Sequence, residues 1–141
     1  MRALTHHLWL FFILAFVCLP SFATSADGLT DAEVRAFLHK LQTTVASGDA
    51  AAVAPLISFP LRVNWPHHKH ANVSERRFAA QFSSIFTPAV VSTLMRQRSE
   101  TLFRSYRGAM VGDGEVWFSG ICPDSKCHSH KVFVISINVL H

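Results

Sequence analysis

Several things are scarce in this chain of 141 residues. It has three cysteines, one tyrosine and only 16% charged residues. Nowhere does it hold the roughly 20 consecutive apolar residues that a membrane-spanning helix needs. The scarcity of charge and the scatter of basic residues remove a lysine-rich tail or an aromatic-interleaved basic stripe, so a nucleic-acid binder is disfavoured despite the net charge of +4. No two cysteines stand in a CxxC pair, which removes the common redox motif. There is no internal repeat, no low-complexity tract and no interdomain linker, so one domain is expected.

The apolar residues that are present begin with a leader. Arg2, His6 and His7 precede LWLFFILAFVCL, an apolar run of about a dozen residues that Pro20 and Ser21 end. Residues 1–26 read as a secretory signal peptide, with cleavage after Ala23 or Ala26. Val17 before Cys18 makes a poor lipobox, so Cys18 is expected to leave with the leader. The remainder, 27–141, reads as one periplasmic or secreted domain with no stable membrane span. Its two remaining cysteines, Cys122 and Cys127, are an even pair in an oxidising compartment and are expected to form a disulfide. Four residues separate them, so the bond would staple a short hairpin loop.

The order of elements can be read from capping and periodicity. Thr30-Asp31-Ala32-Glu33 is a capping box, after which Val34, Phe37, Leu38, Leu41 and Val45 form one helical stripe that Gly48 ends. Asp49 caps a second short helix, interrupted by Pro55. ISFPLRVN reads as a strand, placed at a sheet edge or starting at Pro60 because proline cannot donate to a ladder. WPHHKHAN reads as a loop. Ser74 and Thr87-Pro88 then begin a helix pair. From Thr101 onward the pattern is strand-like. Gly112-Asp113-Gly114 suits a tight turn, and KVFVISINV alternates so that Phe133, Ile135, Ile137 and Val139 share one apolar face.

In these features the chain resembles the NTF2-like superfamily, the cystatin-like cone. They are the capped helix at Thr30, SGDAAAVAPLI, FPLRVN, SERRFAAQFSSIFTPAV and RGAMVGDGEVWF. The resemblance is to small exported bacterial members of unassigned chemistry. It implies an α+β fold with a curved antiparallel sheet and N-terminal helices across its concave side. It does not select a function, because the superfamily includes enzymes and binding modules alike. Catalytic members place an Asp or His base, often with a Tyr donor, towards the cone. No such pair declares itself here, where Tyr106 is the sole tyrosine.

The candidate sites are set by residue type. His67, His68 and His70 share one loop, and His128 and His130 lie beyond the staple. If the loops meet, their imidazoles could ligate zinc or copper. The alternatives are exposed loop histidines or a pH-responsive patch. Trp117 is core or pocket wall. Trp65 covers a sheet edge or anchors a partner. Arg62, alternating with Leu61 and Val63, faces the mouth of the cone, where it meets an anionic ligand or forms a surface salt bridge; Tyr106 is a further candidate contact for a ligand or partner. The expected function is a binding or accessory module of the cell envelope rather than an enzyme, with no cofactor and with a protein or envelope component as partner. Metal binding through the histidines, or an isomerase or dehydratase using the cone pocket, are the alternatives. A homodimer through the exposed sheet face stays open.

Overall fold

In the computed structural model, which describes residues 27–140, the first helix forms as its caps dictate. Helix α1 spans Asp31–Ala46. The Thr30 hydroxyl accepts from the Glu33 amide at 3.2 Å, and the Glu33 carboxylate accepts from the Thr30 amide at 2.8 Å. Gly48 comes next with φ +70°, a left-handed conformation that glycine adopts without a side-chain clash. Asp49 caps α2 (Ala50–Val53) by accepting from the Ala51 amide. Pro55 then carries the chain through a single 3-10 turn into the sheet.

Helices α3 (Glu75–Ile85) and α4 (Pro88–Arg96) form the second helical block. Thr87 caps α4 through its hydroxyl, with Pro88 in the first turn. Ser74 begins α3 with its backbone carbonyl alone; its side chain makes no capping bond. Gln42 on α1 donates to the carbonyls of Leu94 and Gln97 at 2.8 and 2.9 Å, satisfying the open end of α4 and tying it to α1.

Six strands make one sheet: β1 (Ile57–Trp65), β2 (Lys69–Val73), β3 (Phe103–Ser105), β4 (Gly108–Val111), β5 (Val116–Ile121) and β6 (Lys131–Asn138). Their order is β2-β1-β6-β5-β4-β3. The expected antiparallel cone is corrected on two counts. First, β1 and β6 run parallel, so the sheet is mixed. Second, the sheet is neither closed nor strongly curled. The strands form a linear series whose ends, β2 and β3, do not pair with each other. Helices and sheet instead make two layers with a filled seam. Phe37 meets Phe118 at 5.0 Å between ring centroids, and Phe78 meets Phe59, Phe82 and Phe86 edge-on.

Three local expectations also change. Strand β1 is interior rather than an edge, and it begins at Ile57 rather than at Pro60. It tolerates Pro60, whose peptide bond to Phe59 is cis, because both ladders are interrupted there. Pairing with β2 starts at Leu61, and pairing with β6 jumps from Ile57 to Arg62. The stretch expected as a loop after Trp65 is a hairpin. His67 and His68 take consecutive left-handed conformations (φ 61° and 60°), and Lys69 pairs back to Trp65. Finally, β6 does not alternate strictly. A bulge leaves Ile135 between the pairs Phe118–Val134 and Trp117–Ser136. The inward face therefore carries the buried Val134, Ile137 and Val139, and Phe133 and Ile135 are only partly buried. The turn at Gly112–Gly114 stands as expected, with φ 61° and 116° at its glycines.

The leader assigned to 1–26 lies outside the described residues. Among the described residues, no single helix is long and apolar enough to cross a membrane.

Candidate functional site: the uncovered face of the sheet

Strand alternation divides the sheet residues between two faces. Leu61, Val63, Ala109, Val111, Val116 and Phe118 point to the helices and are fully buried. Their alternates, Arg62, Asn64, Met110 and Trp117, point away, to a face that no described element covers. Across this outer face register sets the neighbours. Arg62 lies beside Ser136, which lies beside Trp117, and Asn64 lies beside Asn138. Neighbouring strands are spaced about 4.8 Å apart.

These residues, with Ile135 and with Arg107 from the β3–β4 turn, line a hollow of about 290 Å³. The β6 bulge shapes it by turning Ile135 and Ser136 towards it together. Asn64 donates to the Asn138 side-chain oxygen at 2.6 Å, and the Asn138 amide donates to the Gly114 carbonyl, so both carboxamides are held in place. Neither Arg62 nor Arg107 has an acidic partner among the described residues. Arg107 instead packs at 5.6 Å over the ring of Tyr106 and donates to its hydroxyl at 3.2 Å. Tyr106 is 79% exposed. A second hollow of about 410 Å³, lined by Trp65, His68, Lys69 and His70 at the β1–β2 hairpin, shares Asn64 as a wall. Neither lining contains an aspartate or glutamate.

The sequence-derived candidates thus divide. Arg62 and Trp117 meet in one hollow, and Tyr106 stands beside it through Arg107. Trp117 is pocket wall, not core. Trp65 is partly buried and donates from Nε1 to the Ser84 carbonyl at 3.2 Å, pinning the end of α3 to the hairpin. Sequence reasoning missed Arg107, Asn64, Ser136 and Asn138. Only pairing register, which no local pattern reveals, brings them together.

The histidines are separated. Strands β1 and β6 are parallel, with Asn64 beside Asn138. The hairpin of His67, His68 and His70 therefore lies at the C-terminal end of β6, and His128 and His130 precede its start at Lys131. The length of β6 stands between the two loops, some 20 Å or more at about 3.3 Å per residue. Among the described residues, no group of three or more His, Cys, Asp or Glu is arranged to hold a metal. His130 has a different neighbour. Its Nε2 lies 2.9 Å from Glu33 Oε1, a close contact without hydrogen-bond alignment. The Thr30 amide and hydroxyl, with a smaller contribution from His130, hold the Glu33 carboxyl below its ordinary value. Cys122 and Cys127 are joined as a disulfide with Cα atoms 5.0 Å apart. Inside the loop Asp124 accepts from the amides of Lys126 and Cys127.

One further charged cluster lies at the opposite edge. Arg104 on β3 makes a two-pronged bond to Asp27 (2.7 Å each), a bond to Asp31 at 2.6 Å and another to the Leu29 carbonyl. Burial pushes the Asp27 carboxyl up, but bonds from Arg104 and the Leu29 amide outweigh it and hold it below its ordinary value. The same Asp27 bond raises Arg104. A hollow of about 310 Å³ beside this cluster is lined by Arg104 and Asp31 with Arg35 and Glu100. Arg104 is fully engaged within the protein. It fastens the chain before α1 to the β3 edge and presents no unused charge to a ligand.

Comparison of the chain with protein-family models, with curated proteins and with solved structures finds no match.

Proposed function

We propose that this chain is a binding module of the cell envelope or exterior that engages an anionic partner through the outer face of its sheet and does not transform it. The carrying observation is the pairing of unneutralised Arg62 and Arg107 around one hollow, beside the indole of Trp117. Arginine on a pre-organised surface binds carboxylate or phosphate through several directed bonds. The seam between helices and sheet supports the same reading. It is filled by apolar side chains, and no described polar or charged residue is wholly buried there to serve as an acid–base pair. The leader-like start and the disulfide support the location.

The test is charge reversal on two surfaces. Arg62→Glu with Arg107→Glu alters the outer face. Arg35→Glu with Lys40→Glu makes the same charge change on exposed positions of α1. Co-sedimentation with washed envelopes of the producing cell is expected to fail for the first pair and persist for the second. Equal behaviour of the two pairs would overturn the proposal.

A further inference from the structure

The site does more than attract negative charge, and its chemistry narrows the partner. We infer that the outer-face hollow takes a hydroxyl-rich carboxylate, namely one or more units of an acidic oligosaccharide; this rests on the binding reading above. Three observations lead there.

The first is the mixture of donors and acceptors. Arg62 and Arg107 only donate. Near Arg62 stand two groups with no hydrogen-bond partner among the described residues: Ser136 Oγ, which donates or accepts, and Asn64 Oδ1, which only accepts. A simple anion takes bonds from the arginines and the Ser136 hydroxyl but leaves Asn64 Oδ1 unused, and that oxygen would repel it. A ligand that carries a carboxylate together with hydroxyl donors satisfies both sets. The second is the indole. Trp117 is half-buried within the hollow wall, among polar groups. The electron-rich face of an indole suits the weakly positive C–H face of a sugar ring, and the ring's own hydroxyls then point outward to the amides. The third is form. A hollow of about 290 Å³ lies at the lower limit for small-molecule pockets, so it suits one ring rather than a large ligand. It adjoins the hairpin hollow at Asn64, where Lys69 adds a further cation. Adjoining shallow hollows fit successive units of a chain.

Two other occupants fit less well. An acidic peptide gains most by adding a strand to a sheet edge, whereas Arg62, Asn64, Trp117 and Ser136 lie on the face, over interior strands. A second copy related by a two-fold axis would set this patch against itself. Arginines would then face a lining that offers no carboxylate.

The experiment is calorimetric titration of the full chain with three probes: a short galacturonate oligomer, the same oligomer fully methyl-esterified, and a polyglutamate peptide. The galacturonate oligomer is expected to bind. Methyl esterification, which keeps the rings and hydroxyls but removes the charge, is expected to weaken binding at least tenfold. Arg62→Ala and Arg107→Ala should each weaken it about tenfold, the loss expected for a hydrogen-bonded charge. Trp117→Phe, which keeps an aromatic wall, should weaken it less than Trp117→Ala. Circular dichroism of each variant reports its fold. Tight binding of polyglutamate that depends on Arg62 and Arg107, with none of galacturonate, would overturn the glycan assignment and leave the anionic-partner reading standing. Absence of binding to every probe would overturn the assignment too, and envelope co-sedimentation judges the broader reading separately. Galacturonate binding unchanged by the Arg62 and Arg107 variants would place the ligand elsewhere and overturn the inference.

Discussion

Trp117 and Phe118 are neighbours in one strand, and their surroundings could hardly differ more. Phe118 is fully buried against Phe37 in an all-apolar seam. Trp117 stands on the other side of the same backbone among arginines, carboxamides and a serine. The inner face is closed in both senses: its area is covered and its interactions are complete. The outer face has charges and acceptors that no described group answers. A sheet with one covered face and one wet face is ordinary for antiparallel pairing. Here the wet face carries a set of groups that is one-sided in charge, and that asymmetry separates a solvated surface from a recognition surface. Stability is therefore concentrated on one side of β5 and recognition on the other, which sets how each side responds to substitution.

The largest effect is expected from the inner side. Phe118→Ala removes a wholly buried ring and should lower unfolding free energy by about 3–5 kcal/mol in denaturant titrations. A loss under about 1 kcal/mol, the range of a tolerated volume-conserving swap, would contradict the filled seam. Next comes the edge of the inner side. Arg104→Ala leaves the Asp27 side chain, 0% exposed, without its cation, and a loss of about 3 kcal/mol is expected. The cluster also sets a pH dependence. The Asp27 carboxyl is held below its ordinary value near 3.8. Its contribution is thus complete above that value and is lost as pH falls through the depressed one. Arg104→Ala should flatten this part of the acid limb; an unchanged limb would remove Asp27 from it.

Why the two faces were unequally legible in sequence is a matter of range. Caps and stripes are local, so Thr30 with Glu33, Gly48, Asp49 and the Val34-to-Val45 stripe all announced their roles. The Cys122–Cys127 bond and the Gly112–Gly114 turn were equally local. Three things were not. The parallel pairing of β1 with β6 joins residues 74 apart at Asn64 and Asn138, and nothing in either segment specifies it. The bulge at Ile135 hides inside an alternation that reads as unbroken, because Phe133 and Ile135 are as apolar as Val132 and Val134. The hairpin at His67-His68 lacks the Asn-Gly signal that usually marks consecutive left-handed residues. These same three features arrange the outer face. Arg62 and Trp117 were recognised singly by their alternation, but their meeting depends on register. The cone was expected because amphipathic helices over strands allow either a curled sheet or a flat one. The filled, linear sheet is a property of the whole set of contacts.

The disulfide and the N-terminal cap lie between the extremes and touch neither face of the sheet directly. Reducing Cys122–Cys127, or replacing both by serine, should lower stability by about 2 kcal/mol, the loop-closure contribution of a short ring. It should leave envelope binding intact, because no residue of the loop lines the hollow. Lost binding with preserved fold would move the recognition surface towards the staple. Thr30→Ala removes the hydroxyl that accepts from the Glu33 amide and should cost about 1 kcal/mol. The same variant should let the Glu33 carboxyl rise part of the way towards its ordinary value, since it removes the Thr30 hydroxyl contact and keeps the larger one from the Thr30 amide. An NMR titration of that carboxyl would show the rise, and an unmoved midpoint would leave the effect to the Thr30 amide and His130.

The smallest effect on stability belongs to a residue on which the proposed binding depends. Arg62 is exposed, has no acidic partner among the described residues, and sits on an interior strand whose ladder its side chain does not enter. Arg62→Ala should therefore change unfolding free energy by no more than about 0.5 kcal/mol. A stabilisation within that range would be informative, because removing one positive charge from a net-positive chain lowers the electrostatic free energy of the free protein. The sign can be checked with salt. Added salt screens like charges on a surface, so any gain from Arg62→Ala should shrink as ionic strength rises. A destabilisation of several kcal/mol would show instead that Arg62 holds β1 against β6. The division of labour between the two sides of the sheet would then fail at its central strand.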